Sequence, residues 1–488
     1  MPACLPRYLY FNRAWQESRS GKTEYSRLHQ AKDATDDTQG TRAKMKHIEK
    51  WLKKNRIVEV EAIVPDFSGT ARGKFIPVDR YVEDGGFRIA EAVFTQTIAG
   101  DYSDYIDEIN PTDVDMQARP VEDSIRLVPW AKDPTAQILH DCLDLDGKPI
   151  AVAPRYILQR VLELLDENNW KAIVAPELEF YLAISNTDPN QPLEAPIGRS
   201  GRQEKSRRSF SIDALNEYED LVNSIYEFSE KQGLSLETLT HEDGVAQLEV
   251  NFLHGDPLSL ADQVFAFKRT VREAAFKAGI YATFMAKPYQ GQPGSSMHLH
   301  QSIVNRKTGK NIFSTKSGKA SKLFKHYIGG LQKYTPAMMP LYAPNVNSYR
   351  RITPYFSAPI NTHWGFDNRT VGLRVPISAP EAMRVENRIS GSDVNPYLAF
   401  AASLASGYLG MKNDIEPDEP LTTSAFELGV NLPRDLRASM AEMKKTTAIR
   451  KVLGKEFIDL YLAVKDLEYE TFSQVISPWE REHLLLRV

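Results

Sequence analysis

Cysteine is nearly absent: the 488 residues include only Cys4 and Cys142. Two such distant cysteines exclude a disulfide framework, a CxxC redox pair and a cysteine-built zinc site. Charge of one sign is missing too, since 60 Lys+Arg face 64 Asp+Glu, a formal net charge of −4. That balance lacks the basic excess needed by a phosphate-tracking surface, so no nucleic-acid partner is expected. No run approaches the roughly 20 consecutive apolar residues of a membrane span, so no membrane partner is expected either. The opening MPACLPRYLYFNRAW has neither the apolar core nor the cleavage site of a secretory signal, and a cytoplasmic location is expected.

Familiar catalytic signatures fail as well. Gly69–Lys74 (GTARGK) is one residue short of a phosphate loop, and Phe75 stands where a metal-binding hydroxyl is needed. His241-Glu242 opens like a metalloprotease helix motif, but Val245 occupies the second histidine position. There is no GxSxG nucleophile elbow, and neither cysteine has a reactive context. Any nucleotide must be held by something other than a Walker or Rossmann cradle.

What remains is long enough for two or three folding units of about 150 residues and for a large core without staples. Residues 1–45 are polar and without sustained period, and are read as a flexible tail. Met45, at the head of the amphipathic KMKHIEKWLKKNRI, is a candidate native start. From Val58 the chain alternates as strands do, with a hairpin turning at Asp66–Gly69. Residues 46–145 are therefore expected to form a small β-rich domain with one helix. Residues 146–488 form the larger domain, opened after Pro154 by the amphipathic YILQRVLELLDENNW. The fold class is α+β.

Four clusters carry chemistry. In KAIVAPELEFYLAI, Glu177 and Glu179 stand two apart on a strand and share a face, with apolar flanks that mark a buried element. Alone, such a pair is more often a solvated strand face; here the apolar flanks argue for burial, and buried anions need cations. In HEDGVAQLEVNF, Glu242 and Glu249 bracket a glycine turn, and Gln247, Glu249 and Asn251 share one face. In GQPGSSMHLHQSI, His298 and His300 share a face behind a Gly/Ser bend rich in free N–H groups. From Asn345 to Leu398 come Arg350, Arg351, Arg369, Arg374, Arg384, Glu386 and Arg388, a density suited to carboxylate and phosphate oxygens. Oxygen-rich donors with an imidazole favour magnesium or manganese over zinc. The residues by themselves lead to a metal-dependent, phosphate-handling enzyme.

The segments PELEF, HEDGVAQLE, GSSMHLHQS, NSYRR, NRTVGLRVP and VENR…NPYLA, in this order, resemble the glutamine synthetase family over roughly residues 55–488. The resemblance implies a β-grasp N-terminal domain, then a larger glutamine-synthetase-type catalytic α/β domain. It further implies ring assembly, a homododecamer, with sites between neighbouring subunits. Carried over by motif, Glu179, Glu242 and Glu249 would hold one Mg²⁺ or Mn²⁺, and Glu177, His298 and Glu386 a second. His300 and Ser302 would lie by ATP, Arg369 and Arg374 by the transferring phosphate, and Gly294, Arg351 and Arg388 by glutamate. Arg351 and Arg369 would be catalytic.

Two departures turn the expectation from ammonia to a bulkier amine. Family members that make glutamine carry a glutamate after the NSYRR-like motif; here TPYFSAP places Ser357 there. Their N-domain DGSS loop is replaced by RIAEAVFTQTIAGDY. The sequence looks like the γ-glutamylpolyamine branch, most closely γ-glutamylputrescine synthetase, which implies an ATP-dependent ligase joining glutamate to putrescine or a related polyamine. Ammonia is the alternative amine; an inactive structural relative is the remote one, disfavoured by the intact acidic set. Candidate bases for the amine are Glu91, Asp101 and Asp104. Glu381 replaces a lysine common near the nucleotide. No tyrosine occurs in 409–460, so adenylylation there is not expected.

Overall fold

The structure is a computed structural model and describes residues 38–356 and 358–488, with the side chains of 38–44 and 109 left aside. Most of the expected tail lies outside those residues. Its end does not: a helix spans Thr38–Lys54, reaching back before Met45. Ile48 and Leu52 anchor it, packing with Ile57, Val60, Ala62, Tyr81, Ala136 and Ile138 in a small core of their own.

Two sheets organise the chain. The first contains β1 (Glu59–Pro65), β2 (Ala71–Pro77), β3 (Phe87–Ala90), β4 (Asp115–Pro120), β5 (Arg126–Leu127) and β6 (Thr135–Leu143), in the order β2-β1-β6-β4-β3 with β5 on β6. The hairpin β1–β2 turns where the sequence placed it. Asp66 Oδ1 accepts from Ser68 N at 2.9 Å and Thr70 N at 2.8 Å, and Gly69 supplies the left-handed φ of +74°. β1 pairs antiparallel with β2 and parallel with β6.

His140, on β6 of this sheet, is buried, and its neutral form is built in. Nδ1 donates to Ile138 O at 3.0 Å, which leaves Nε2 to accept from the Tyr81 hydroxyl at 2.9 Å. Burial lowers its pKa from 6.5 to about 3, against small opposing backbone bonds from Ile63 and Ile138. The unfolded chain therefore binds a proton that the folded one refuses between pH 6.5 and 3. Stability is full above that window and falls through it as pH drops, by at most about 1.4 kcal/mol per unit. Urea midpoints measured from pH 7 to 4 should show this slope, and His140→Gln should remove about one proton from it.

The second sheet holds β7 (Trp170–Ile184), β8 (Leu236–His241), β9 (Gln247–Phe252), β10 (Ile280–Thr283), β11 (Met297–Asn305), β12 (Trp364–Phe366), β13 (Leu373–Val375) and β14 (Val385–Asn387). Its order is β12-β13-β14-β11-β7-β9-β8, with β10 beside β7. Helices cover it. Pro154–Asp166 begins with proline at its first turn and buries Ile157, Leu158, Val161 and Leu165, as its period predicts. Lys322–Tyr342 and Pro396–Lys412 cross so closely that a Cβ on Gly330 would stand 2.6 Å from Gly410 Cα.

The two sheets are locked together. Asn395 caps the helix Pro396–Lys412, accepting from Tyr397 N at 2.9 Å and Leu398 N at 3.2 Å. Its amide also donates to Asp66 O at the β1–β2 hairpin, at 2.7 Å. Arg155 joins Asp141 at 2.6 Å to Asp262 at 3.0 Å, and Arg269 reaches Glu61 at 2.7 Å. Among the described residues no helix is long and apolar enough to cross a membrane.

Candidate active site

Register places the expected residues side by side. Glu177 of β7 faces Asn251 of β9 and His298 of β11, while Glu179 faces Glu249. His300 faces Glu386 of β14, which faces Arg374 of β13. Because strand side chains alternate, these pairings bring one face of five strands to a common wall.

That wall bounds a cavity of about 750 Å³ containing Glu177, Glu179, Glu242, Gln247, Glu249, Asn251, Gly294, His298, Arg369, Arg374, Glu386 and Arg388 on its lining. A second cavity of about 600 Å³ shares Glu177 and Asn251, and is otherwise lined by residues such as His300, Ser302, Glu381 and Arg384. Both volumes suit a small ligand.

The carboxylates are crowded, Glu179 and Glu386 buried and Glu177, Glu242 and Glu249 half-buried. Burial, then the charges of Glu179, Glu177, Glu242 and Glu386, push Glu249 up to about 10. Burial, then Glu242, push Glu179 up to about 8, although Ser296 N donates to it at 2.8 Å and Gln247 Nε2 at 3.1 Å. Glu386 is different: burial would raise it, but the Arg388 guanidinium foremost outweighs that and holds it at about 2. Glu177 is likewise held well below the usual range, its burial outweighed by hydrogen bonds from His298 and His300.

His298 is neutral, because burial and Arg388 lower it to about 4 despite its acidic neighbours. Nδ1 then donates to Glu177 at 3.3 Å, and the buried Nε2 has no partner. Donor atoms of Glu177, His298 and Glu386 lie within 4.8 Å of one another, as do those of Glu179, Glu249 and His298. Clustered carboxylates that burial and their neighbours' charge raise above the usual range, as at Glu179 and Glu249, beside an imidazole with a free lone pair fit hard divalent cations. Glu242 stands outside both tight groups, on the same cavity wall.

Glu242 sits on a turn clamped from behind. Glu204 Oε2 accepts from Ala246 N at 3.1 Å and pairs with His241 Nε2 at 3.0 Å, where Ala246 has a φ of +55°. Beside it Asp243 accepts from Ser209 at 2.9 Å. Sequence reasoning missed Glu204, Ser209 and Phe210, because the loop carrying them has no period and no motif.

The arginines fall into three states. Arg369 lines the cavity exposed, with no hydrogen bond or ion pair among the described residues. Arg374 and Arg388 are committed to Glu386, Arg374 at 2.7 Å, and each keeps a buried Nε without a partner. Arg351, expected to touch substrate, instead stands behind the wall. It is 2% exposed and donates to Ser296 Oγ at 2.8 Å, Ile389 O at 2.8 Å and Arg388 O at 2.9 Å. Its stem fills the space next to Gly294, where a Cβ would meet Arg351 Cγ at 2.4 Å. Four hydrogen bonds from this guanidinium stay inside the fold and hold Ser296 and the 388–389 backbone.

His300 forms a relay, with Nδ1 accepting from Arg384 Nε at 3.1 Å and Nε2 donating to Glu177 at 2.9 Å. Glu91, Asp101 and Asp104 do not line the cavity of their own chain. Ser357 lies outside the described residues.

Residues 151–484 match the family described as "Glutamine synthetase, catalytic domain". The gamma-glutamylputrescine synthetase PuuA of Escherichia coli (strain K12) is 35% identical over 437 residues, 87% of this chain and 91% of that one. A glutamate–isopropylamine ligase of Pseudomonas sp is 32% identical over 88% of this chain and 95% of its own. The glutamine synthetase of Pyrococcus abyssi (strain GE5 / Orsay) is 34% identical over 87% and 92%. Among solved structures, GmaS without ligand superposes with a TM-score of 0.77 at 25% identity, over 90% of this chain and 99% of that one. The match over most of the chain, with the acidic wall intact, places this protein in the glutamine synthetase family, whose ligases use ATP and divalent metal ions.

Proposed function

We propose that this enzyme joins the γ-carboxylate of glutamate to a primary amine, putrescine or a related polyamine, through γ-glutamyl phosphate. The observation that carries the reading is a wall of buried and half-buried carboxylates where two cavities meet, with an exposed arginine on it that has no partner among the described residues. The named amines of two relatives, putrescine and isopropylamine, support an alkylamine over ammonia.

A carboxylate is a poor acyl donor, because its leaving group would be oxide. The γ-carboxylate oxygen attacks the γ-phosphorus of ATP, the P–O bond to ADP breaks, and γ-glutamyl phosphate forms. The deprotonated amine nitrogen then attacks the γ-carbonyl carbon. The C–O bond to phosphate breaks, inorganic phosphate leaves, and the nitrogen sheds one further proton.

In this reading Glu179, Glu242 and Glu249 hold one Mg²⁺ or Mn²⁺, and Glu177, His298 and Glu386 a second. Cations bound there would neutralise the wall and stabilise phosphoryl charge. His300 and Ser302 flank ATP in the smaller cavity, while Arg369 and Arg374 meet the transferring phosphoryl oxygens. Gly294 and Arg388 orient glutamate, and Arg351 keeps their backbone in place.

An alkylammonium has a pKa of about 10 and needs a base. We assign it to a carboxylate brought by a neighbouring chain in a ring, a homododecamer, since Glu91, Asp101 and Asp104 do not line their own cavity. A native mass corresponding to a monomer that turns over at full rate would reject that assembly.

The central test is glutamate-dependent phosphate release from ATP with ammonium, putrescine, spermidine and monoamines in turn. Putrescine should give the largest kcat/KM. Stimulation by ammonium alone would instead make the protein a glutamine-forming enzyme like the Pyrococcus relative.

A further inference from the structure

Four aromatic side chains line the large cavity together with the acidic wall: Phe210, Tyr355, Phe356 and Phe426. Glutamate and a triphosphate are recognised by charges and hydrogen bonds, and use no such surface. Two of these residues are anomalous in the same two ways. On the single chain Phe210 is 66% exposed and Tyr355 69%. Both also have left-handed backbone, with φ of +60° and +65°. Bulky residues are outliers there, and such strain collects where function requires it.

The strain is held by neighbours on both sides. Phe210 N donates to His241 O at 2.9 Å, one residue before Glu242, so its backbone is tied to the acidic turn. Tyr355 packs on Phe426 with ring centroids 5.4 Å apart, and its hydroxyl donates to Glu427 at 3.3 Å. Phe356 is braced by Lys287, whose Nζ is 4.4 Å from the ring centroid.

We propose that Phe210, Tyr355, Phe356 and Phe426 form an aromatic collar that receives the hydrocarbon part of the amine, making chain length the basis of amine choice. The inference rests on the ligase reading above. An alkyl chain between these rings loses its water, as do the rings, so each added methylene strengthens binding in the acyl-transfer step. Ammonium has no hydrocarbon to bury and gains nothing from the collar.

The test measures kcat/KM for methyl-, ethyl-, propyl- and butylamine, read as glutamate- and amine-dependent phosphate release. In the unaltered protein kcat/KM should rise about fourfold per methylene, on the order of fiftyfold across the series. Phe210→Gly and Tyr355→Gly should cut that rise to below about tenfold while leaving the KM for glutamate within about twofold.

A rise that survives in both variants overturns the collar. A flat series in the unaltered protein with strong stimulation by every amine overturns the collar alone. No stimulation by any amine removes the ligase reading, and the collar with it.

Discussion

Glu179→Gln should abolish turnover with every amine, lowering kcat at least about a thousandfold, while making the metal-free protein more stable. The two effects come from one cause. Glu179 is 7% exposed, faces Glu249 across the sheet and feels the charge of Glu242. Without cations such neighbours repel in a dry site, and neutralising one of them relieves the others. The amide keeps an acceptor oxygen for Ser296 N and Gln247, so the bend 294–296 stays in place. What it loses is the anion. Thermal melts with and without Mg²⁺ read this directly. The unaltered protein should be stabilised by the metal through mass action, and the variant much less. An equal metal-induced shift in both would place Glu179 outside the cation site.

Arg369→Ala should lower kcat by about a hundredfold to a thousandfold with no change in melting temperature beyond about a degree. Removing a buried or paired arginine costs stability, because its partner is stranded. Arg369 has neither burden, being exposed on the cavity lining with no partner among the described residues. A guanidinium left unpaired beside paired Arg374 and Arg388 is available to a phosphoryl group that is present only during turnover. Arg369→Lys should recover part of the rate, since a point charge replaces the fork but cannot chelate two oxygens. A variant that loses stability but keeps kcat would assign Arg369 to the fold.

The acidic wall was legible because strands obey a period of two. Glu177 with Glu179, and Gln247 with Glu249 and Asn251, reach one cavity as their spacing requires. The hairpin at Asp66–Gly69 and the helix after Pro154 follow equally local rules. What stayed hidden depends on contacts between distant segments. Arg351 and Arg369 look alike in the sequence, yet one is sealed behind the sheet and the other is exposed with no partner among the described residues. The difference is set by Ser296 and the carbonyls of 388 and 389, which only tertiary structure brings to Arg351. Glu204 and Phe210 belong to a loop with no period, and left-handed backbone at an aromatic residue leaves no mark in composition. The helix Thr38–Lys54 was read too short because its first turns are polar and its anchoring Ile48 and Leu52 lie near its end.

Asn395 has a mechanical consequence. A single amide both starts the helix Pro396–Lys412 and grips the hairpin tip at Asp66, close to the backbone that Arg351 braces. Hinge opening between the two sheets would tear a helix terminus, so the frame around the substrates is stiff. Admission and release then fall to surface segments, that around the 69%-exposed Tyr355 first. Amide exchange should be fast around Tyr355 and slow at the hairpin.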